Sequence, residues 1–204
     1  MTTLKVKITT TEEMLGTSPA DPDIYQTYIA TRAQQEERGT EETAVIEEMN
    51  LDEEFEKGLT VFGRENGKPF CWDYQWRGMF KDACSMLRRV PGTESSKCKA
   101  FKKVIDGLIF VDERKIPIET DHDITWCQRP LRAQTAQGDR VALAVSEAIA
   151  PGATMTFTIR CYVDSDVKMV KEWLDYGRVR GFGQWRNSGK GTFTWELLEE
   201  KKVA

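Results

Sequence analysis

GFGQWRNSGKG, residues 181–191, sets four glycines around a tryptophan, an arginine, an asparagine and a lysine. Glycine reaches positive φ without steric cost and lets a backbone come close to whatever faces it. The flanks decide what kind of loop this is. VKMVKEWLDYGRV (167–179) repeats its apolar residues at helical spacing and predicts a helix ending at Gly177 or Gly181; GTFTWELLEE (191–200) predicts a strand. The order is therefore helix, loop, strand. Phosphate-binding loops of the dinucleotide and P-loop kinds run the other way, so that a helix N-terminus faces the phosphate. A nucleoside triphosphatase is not indicated. What remains is a loop with exposed N–H groups and four cations, Arg178, Arg180, Arg186 and Lys190, with no acidic residue between Tyr176 and Trp195. That composition favours a phosphate backbone. Trp185 has two readings: a ring that stacks on a base, or one that pins the loop to the core.

Working outward, the 204 residues carry a net charge of −4, unevenly spread: residues 1–60 sum to −9 and the rest to +5. A chain of this length and 40% hydrophobic content builds one sizeable domain, with room for a long excursion. The acidic first third and basic remainder predict a charge-segregated surface on which an anionic ligand binds locally. No stretch approaches the roughly 18 apolar residues of a membrane span, and MTTLKVKITTTEEML has no signal-type apolar block. A cytoplasmic protein without membrane attachment is expected. The five cysteines, Cys71, Cys84, Cys98, Cys127 and Cys161, form no CxxC pair and predict buried or half-buried free thiols. With one histidine, His122, in the polar stretch ETDHDIT, neither a metal site nor a cofactor is expected.

LKVKITT (4–10) alternates as an opening strand, and DIYQTYIATRA and the acidic GTEETAVIEEMNLDEEFEKG predict helices. LTVFGRENGKPFCW (59–72) predicts a hairpin turning at ENGK, and DYQWRGMFKDACSMLRRV (73–90) an amphipathic helix. A basic helical stretch, KCKAFKKVIDG, follows. GLIFVDERKIPIE, ITWCQRPLRAQ, RVALAVSEAIA and TMTFTIRCYV predict strands. Strands and helices alternate without doubly wound regularity, so the class is an α+β sandwich.

Four segments, in order, resemble the RAMP superfamily, which supplies RNA-binding subunits of CRISPR effector complexes. GFGQWRNSGKG fits its C-terminal pattern G-h-G-x5-G-x-G. KPFCWDYQWRGMFKDA (68–83) is similar to its strand entering a helix with K/R-G-x-x-R/K, here Arg77, Gly78 and Lys81, although WDYQW stands where the family usually has a small turn. SEAIAPGATMTFTI (146–159) resembles its "PGT-x-F" element, here Pro151, Gly152, Thr154 and Phe157, and EWLDYG leads into the glycine loop as it does there. The match runs over about 60–198 and the first strand. The likeness is greatest to backbone subunits that polymerise along a guide RNA and to short stand-alone relatives from phage and prophage genomes.

The resemblance implies a single RAMP-like domain over 1–204: a ferredoxin-like (RNA-recognition-motif-like) sandwich with an antiparallel sheet and helical insertions. Residues of about 11–58 stand apart as an acidic, mostly helical excursion. The implied nucleic-acid contacts are Arg77, Gly78 and Lys81 on the helix, then Arg178, Arg180, Gly181, Gly183, Trp185, Arg186, Asn187, Gly189, Lys190 and Gly191. Three functions stay open. The first is a non-catalytic binder of single-stranded RNA or DNA, RNA favoured, assembling as a homo-oligomer or filament. The second is an inhibitor or subunit mimic of phage type that docks on CRISPR effector complex proteins through its acidic third. The third is an endoribonuclease, for which only His122 offers a group titrating near neutrality.

Overall fold

The alternation of LKVKITT becomes β1 (Thr2–Thr10), whose Thr2, Leu4, Val6, Ile8 and Thr10 are buried while Lys5 faces water. The structure, a computed structural model, describes residues 1–19, 59–135 and 138–202, with side chains described except at 131–135 and 138–142. The chain divides into two compact units: Met1–Leu15 with Gly63–Ile124 and Ile149–Ala204, and Gly16–Phe62 with Thr125–Ala148.

In the first unit β1 is central. It pairs antiparallel with β11 (Thr154–Cys161) on one side and β12 (Phe193–Lys202) on the other, and β7 (Ile109–Val111) extends the sheet beyond β11. The sheet order is β12-β1-β11-β7, all antiparallel. One face is apolar. Met155, Phe157 and Ile159 of β11 and Phe193 of β12 join the β1 residues there, under α1 (Asp73–Leu87) and α3 (Asp166–Arg180). Trp76 of α1 is fully buried, 4.6 Å from the Phe157 ring and 5.6 Å from Phe193, and Phe80 meets Trp173 of α3 at 5.7 Å. The helix α2 (Phe101–Leu108) adds buried Ile105. This unit is thus α+β with an antiparallel sheet.

The turn at ENGK forms as its sequence predicts. Asn66 and Gly67 both take positive φ, 50° and 79°, which a two-residue hairpin of matching twist requires. It joins β5 (Gly63–Glu65) to β6 (Lys68–Trp72), and β8 (Lys115–Pro117) pairs with β6 to make a three-stranded sheet. GLIFVDERKIPIE, expected as one strand, is split. The Glu113 carboxylate takes the Thr158 backbone N–H at 2.7 Å, ending the pairing of β7, and the chain crosses to β6 as β8. Cys71, Cys84 and Cys161 are buried, and burial pushes their thiols up to about 12, 11 and 12. They pack as small protonated hydrophobes.

The second unit holds β3 (Ser18–Pro19), β4 (Leu59–Val61), β9 (Thr125–Thr135) and β10 (Gly138–Ile149). β9 and β10 form a long antiparallel hairpin, β4 runs parallel to β10, and β3 pairs with β4. Buried Glu147 accepts the Phe62 N–H on its carboxylate and the Gly16 N–H on its carbonyl, each at 2.8 Å. Of the excursion expected over 11–58, residues 20–58 lie outside the described residues. Within 11–19 the chain is extended, as β2 (Met14–Leu15) and β3, and Met14 and Leu15 are fully buried.

Two helical glycines give opposite expectations for one substitution. At Gly177, inside α3, a Cβ would stand 2.3 Å from the Phe193 ring; at Gly78, on the exposed side of α1, it would meet nothing within 4 Å. Gly78→Ala should stabilise by about 0.5–1 kcal/mol through helix propensity. Gly177→Ala should destabilise by about 1–3 kcal/mol through overpacking. Paired urea titrations measure both signs.

Candidate nucleic-acid interface

The glycine loop is a narrow-necked turn anchored in the core. α3 stops at Gly181, φ 80°, whose N–H still donates to the Gly177 carbonyl at 2.8 Å. Phe182 then turns inward and stacks on Trp76, ring centroids 4.3 Å apart and planes 16° from parallel. Its N–H donates to the Gly191 carbonyl at 2.8 Å, and the Gly191 N–H donates to the Glu13 carbonyl at 2.8 Å. The two strands of this neck are so close that a Cβ on Gly191 would lie 1.9 Å from the Phe182 oxygen, and one on Gly181 2.3 Å from the Lys190 oxygen. Past the neck the tip turns through Trp185, left-handed at φ 54°, and a short 3₁₀ turn, Arg186–Ser188, to Gly189. Phe182, which is buried, pins the loop to the core, and Trp185 is 36% exposed.

Much of the donor capacity expected of the loop is engaged within the fold. The N–H groups of Gly181, Phe182, Ser188, Gly189 and Gly191 all bond to backbone carbonyls. The cations that stand unopposed in sequence meet carboxylates from elsewhere. Asp82 of α1 receives Arg180 Nε at 3.0 Å and Arg186 Nη1 at 2.8 Å on the same oxygen, and Arg180 also donates to the Asn187 side-chain oxygen. Lys190 pairs with Glu13 at 2.8 Å, and Arg178 stands 4.0 Å from Asp175, whose carboxylate also accepts Trp195 Nε1–H. On α1, Arg77 pairs with Asp73 at 3.0 Å and Lys81 with Asp106 at 2.8 Å.

Asp82 does more than neutralise. Adjacent to Lys81 in α1, it ties two arginines that lie 98 and 104 residues further along the chain. The α1 segment and the glycine loop, two separate signals in sequence, meet at Asp82, which gathers Arg180 and Arg186, with Asn187 on Arg180; Lys81, the next residue in α1, points instead to Asp106. Gly183 stays inside the loop, where a Cβ would approach the Leu15 carbonyl at 2.9 Å, and Gly78 stays on the open side of α1. Arg178 is the outlier, paired toward β12. Glu13 and Asp82 escape sequence analysis because neither lies at a spacing that marks a partner; tertiary contact alone reveals them. His122 is exposed in the loop after β8, its N–H donated to Thr120 Oγ1 at 3.1 Å.

The neck and tip separate two roles for loop glycines. Gly189 has positive φ, 80°, but open space around it, whereas Gly191 combines φ 70° with the contact to Phe182. Gly189→Ala should cost about 1–2 kcal/mol from left-handed strain alone. Gly191→Ala should cost about 3 kcal/mol or more, strain plus collision. Chemical denaturation of the two variants reads the difference.

No protein-family model matches this sequence, and no curated protein matches it. Solved structures do. A chain of the cryo-EM structure of the Type III-B Cmr-beta bound to cognate target RNA matches at a TM-score of 0.54 and 15% identity, over 100% of this chain and 61% of its own length. A chain of a Type IV-B CRISPR complex matches at 0.46 and 11% identity, over 100% of this chain and 92% of its own. The protein thus spans about three-fifths of the Cmr-beta chain (61%) and shares its α+β fold.

Proposed function

We propose that this chain is a non-catalytic binder of single-stranded nucleic acid, RNA in preference to DNA, that works alongside CRISPR effector proteins. The observation that carries the reading is the junction at Asp82, which joins α1 to two arginines of the glycine-loop segment. Arg186 spends one of its N–H donors on Asp82, and a guanidinium has five. A phosphodiester lying along Arg180 and Arg186 takes the remaining donors and competes with the carboxylate. The element order β1-α1-β7-β11-α3-β12, with sheet order β12-β1-β11-β7, supports the finer ferredoxin-like, RNA-recognition-motif-like description. The fold shared with a chain from an RNA-bound assembly, and the four RAMP-like segments, support RNA as the ligand.

The competition makes a test whose sign is unusual. Fluorescence anisotropy with labelled single-stranded RNA across a salt series is the measurement. Asp82→Asn should tighten binding and steepen the slope of log K against log salt by about 0.7 for each further phosphate neutralised. Arg180→Ala with Arg186→Ala should weaken binding about tenfold at low salt and flatten the slope. Double-arginine variants that bind as wild type, or an Asp82→Asn that only destabilises, overturn the reading; equal affinity for DNA of the same sequence overturns the RNA preference.

The non-catalytic assignment has its own check. End-labelled RNA should stay intact with wild type and with His122→Ala. Cleavage by wild type that disappears in the variant would put an endoribonuclease in its place.

A further inference from the structure

We propose that Trp72 and Tyr74, with Arg114 beside them, form a base-stacking platform for single-stranded RNA, a contact separate from the glycine loop. The proposal rests on the RNA reading above and extends it to a site at the junction of β6 and α1. Trp72 ends β6 and Tyr74 lies in the first turn of α1. Their rings are near parallel, 17° apart in plane with centroids 6.0 Å apart, and Phe70 braces Trp72 edge-on at 4.9 Å. The Arg114 guanidinium sits 5.3 Å from the Trp72 ring centre and 5.6 Å from that of Tyr74. The Lys115 ammonium lies 5.3 Å from the Phe70 ring and 5.8 Å from Trp72. Tyr74 is 36% exposed and the Arg114 side chain 65%. In the same unit Trp76 and Trp173 are fully buried.

Two features select the ligand. The rings already carry the protein's own cations, so a cationic peptide or a quaternary ammonium, the usual guest of an aromatic site, meets like charge here. A flat, neutral ring attached to an anion meets the opposite: π-faces for the ring and guanidinium for the anion. A nucleotide is that object, and stacking tolerates any base. The second feature is Asp73, whose side chain is 10% exposed and which holds Arg77 on one oxygen and Arg114 on the other. One carboxylate shared by two arginines leaves a surplus positive charge beside the rings. It also links the platform to Arg77, a cation of the α1 segment.

The test separates base from backbone. Binding of oligouridine RNA and of an abasic ribose-phosphate strand of equal length is measured for wild type, Tyr74→Ala, Tyr74→Leu and Tyr74→Phe. Tyr74→Ala should weaken oligouridine binding about tenfold, leave the abasic strand unchanged and leave the salt slope as it is. Tyr74→Phe should keep wild-type affinity, because the ring remains. Tyr74→Leu preserves apolar bulk without a π-face and should behave as Tyr74→Ala; it decides the matter if the alanine variant melts early. Oligouridine binding by Tyr74→Ala or Tyr74→Leu equal to wild type overturns the platform while the Asp82 surface stands. Equal losses on the abasic strand overturn it as well, by showing a general loss of fold or charge. Wild-type protein that binds no RNA overturns both.

Discussion

The ring of Trp76 is the contact on which the first unit depends. It touches Phe157 of β11, Phe193 of β12, Phe182 of the glycine loop and, at 6.5 Å, Phe80 one turn along its own helix. Its indole N–H is satisfied in the core by Cys71 Sγ of β6 at 3.3 Å. An unpartnered N–H at this depth would carry a desolvation penalty of about 1–3 kcal/mol. Aromatic pairs contribute about 0.5–1.5 kcal/mol each beyond the area they bury, so one side chain binds strand, helix and loop together. The loop is consequently placed by packing. Its charges decorate a position that Phe182 has already fixed.

That division explains what was legible in the sequence. Local signals translate directly: the alternation of β1, the positive-φ pair Asn66 and Gly67, and the end of α3 at one of the two glycines Gly177 and Gly181. The choice between those two glycines was not legible, because it depends on the Phe193 ring filling the place of a Cβ at Gly177. Partnering was not legible either. LTVFGRENGKPFCW looks like one hairpin, yet Leu59–Val61 pairs with β10 and only Gly63–Glu65 pairs with β6. The absence of acids between Tyr176 and Trp195 is a statement about the chain and not about space. Asp82 and Glu13 reach the loop's cations from distant segments.

Charge among the cations expected to contact nucleic acid is therefore almost balanced. Six cations, Arg77, Lys81, Arg178, Arg180, Arg186 and Lys190, share five carboxylates. Such pairs contribute little to stability where water reaches them. On the proposed reading, a phosphate at this surface competes with a resident carboxylate rather than filling an empty basic groove.

The central place of β1 has a consequence for how the chain is made. Thr2 lies opposite Cys161 on one side and Lys202 on the other, so the earliest strand is flanked by two of the latest. During synthesis β1 leaves the ribosome before β11 and β12, so neither partner is yet there to cover its edges. Pairings of such long sequence separation close slowly, and an uncovered strand edge invites association with other chains in the interval. Lys5 and Lys7, interspersed among the apolar residues of β1, keep that waiting segment charged and poorly suited to self-pairing.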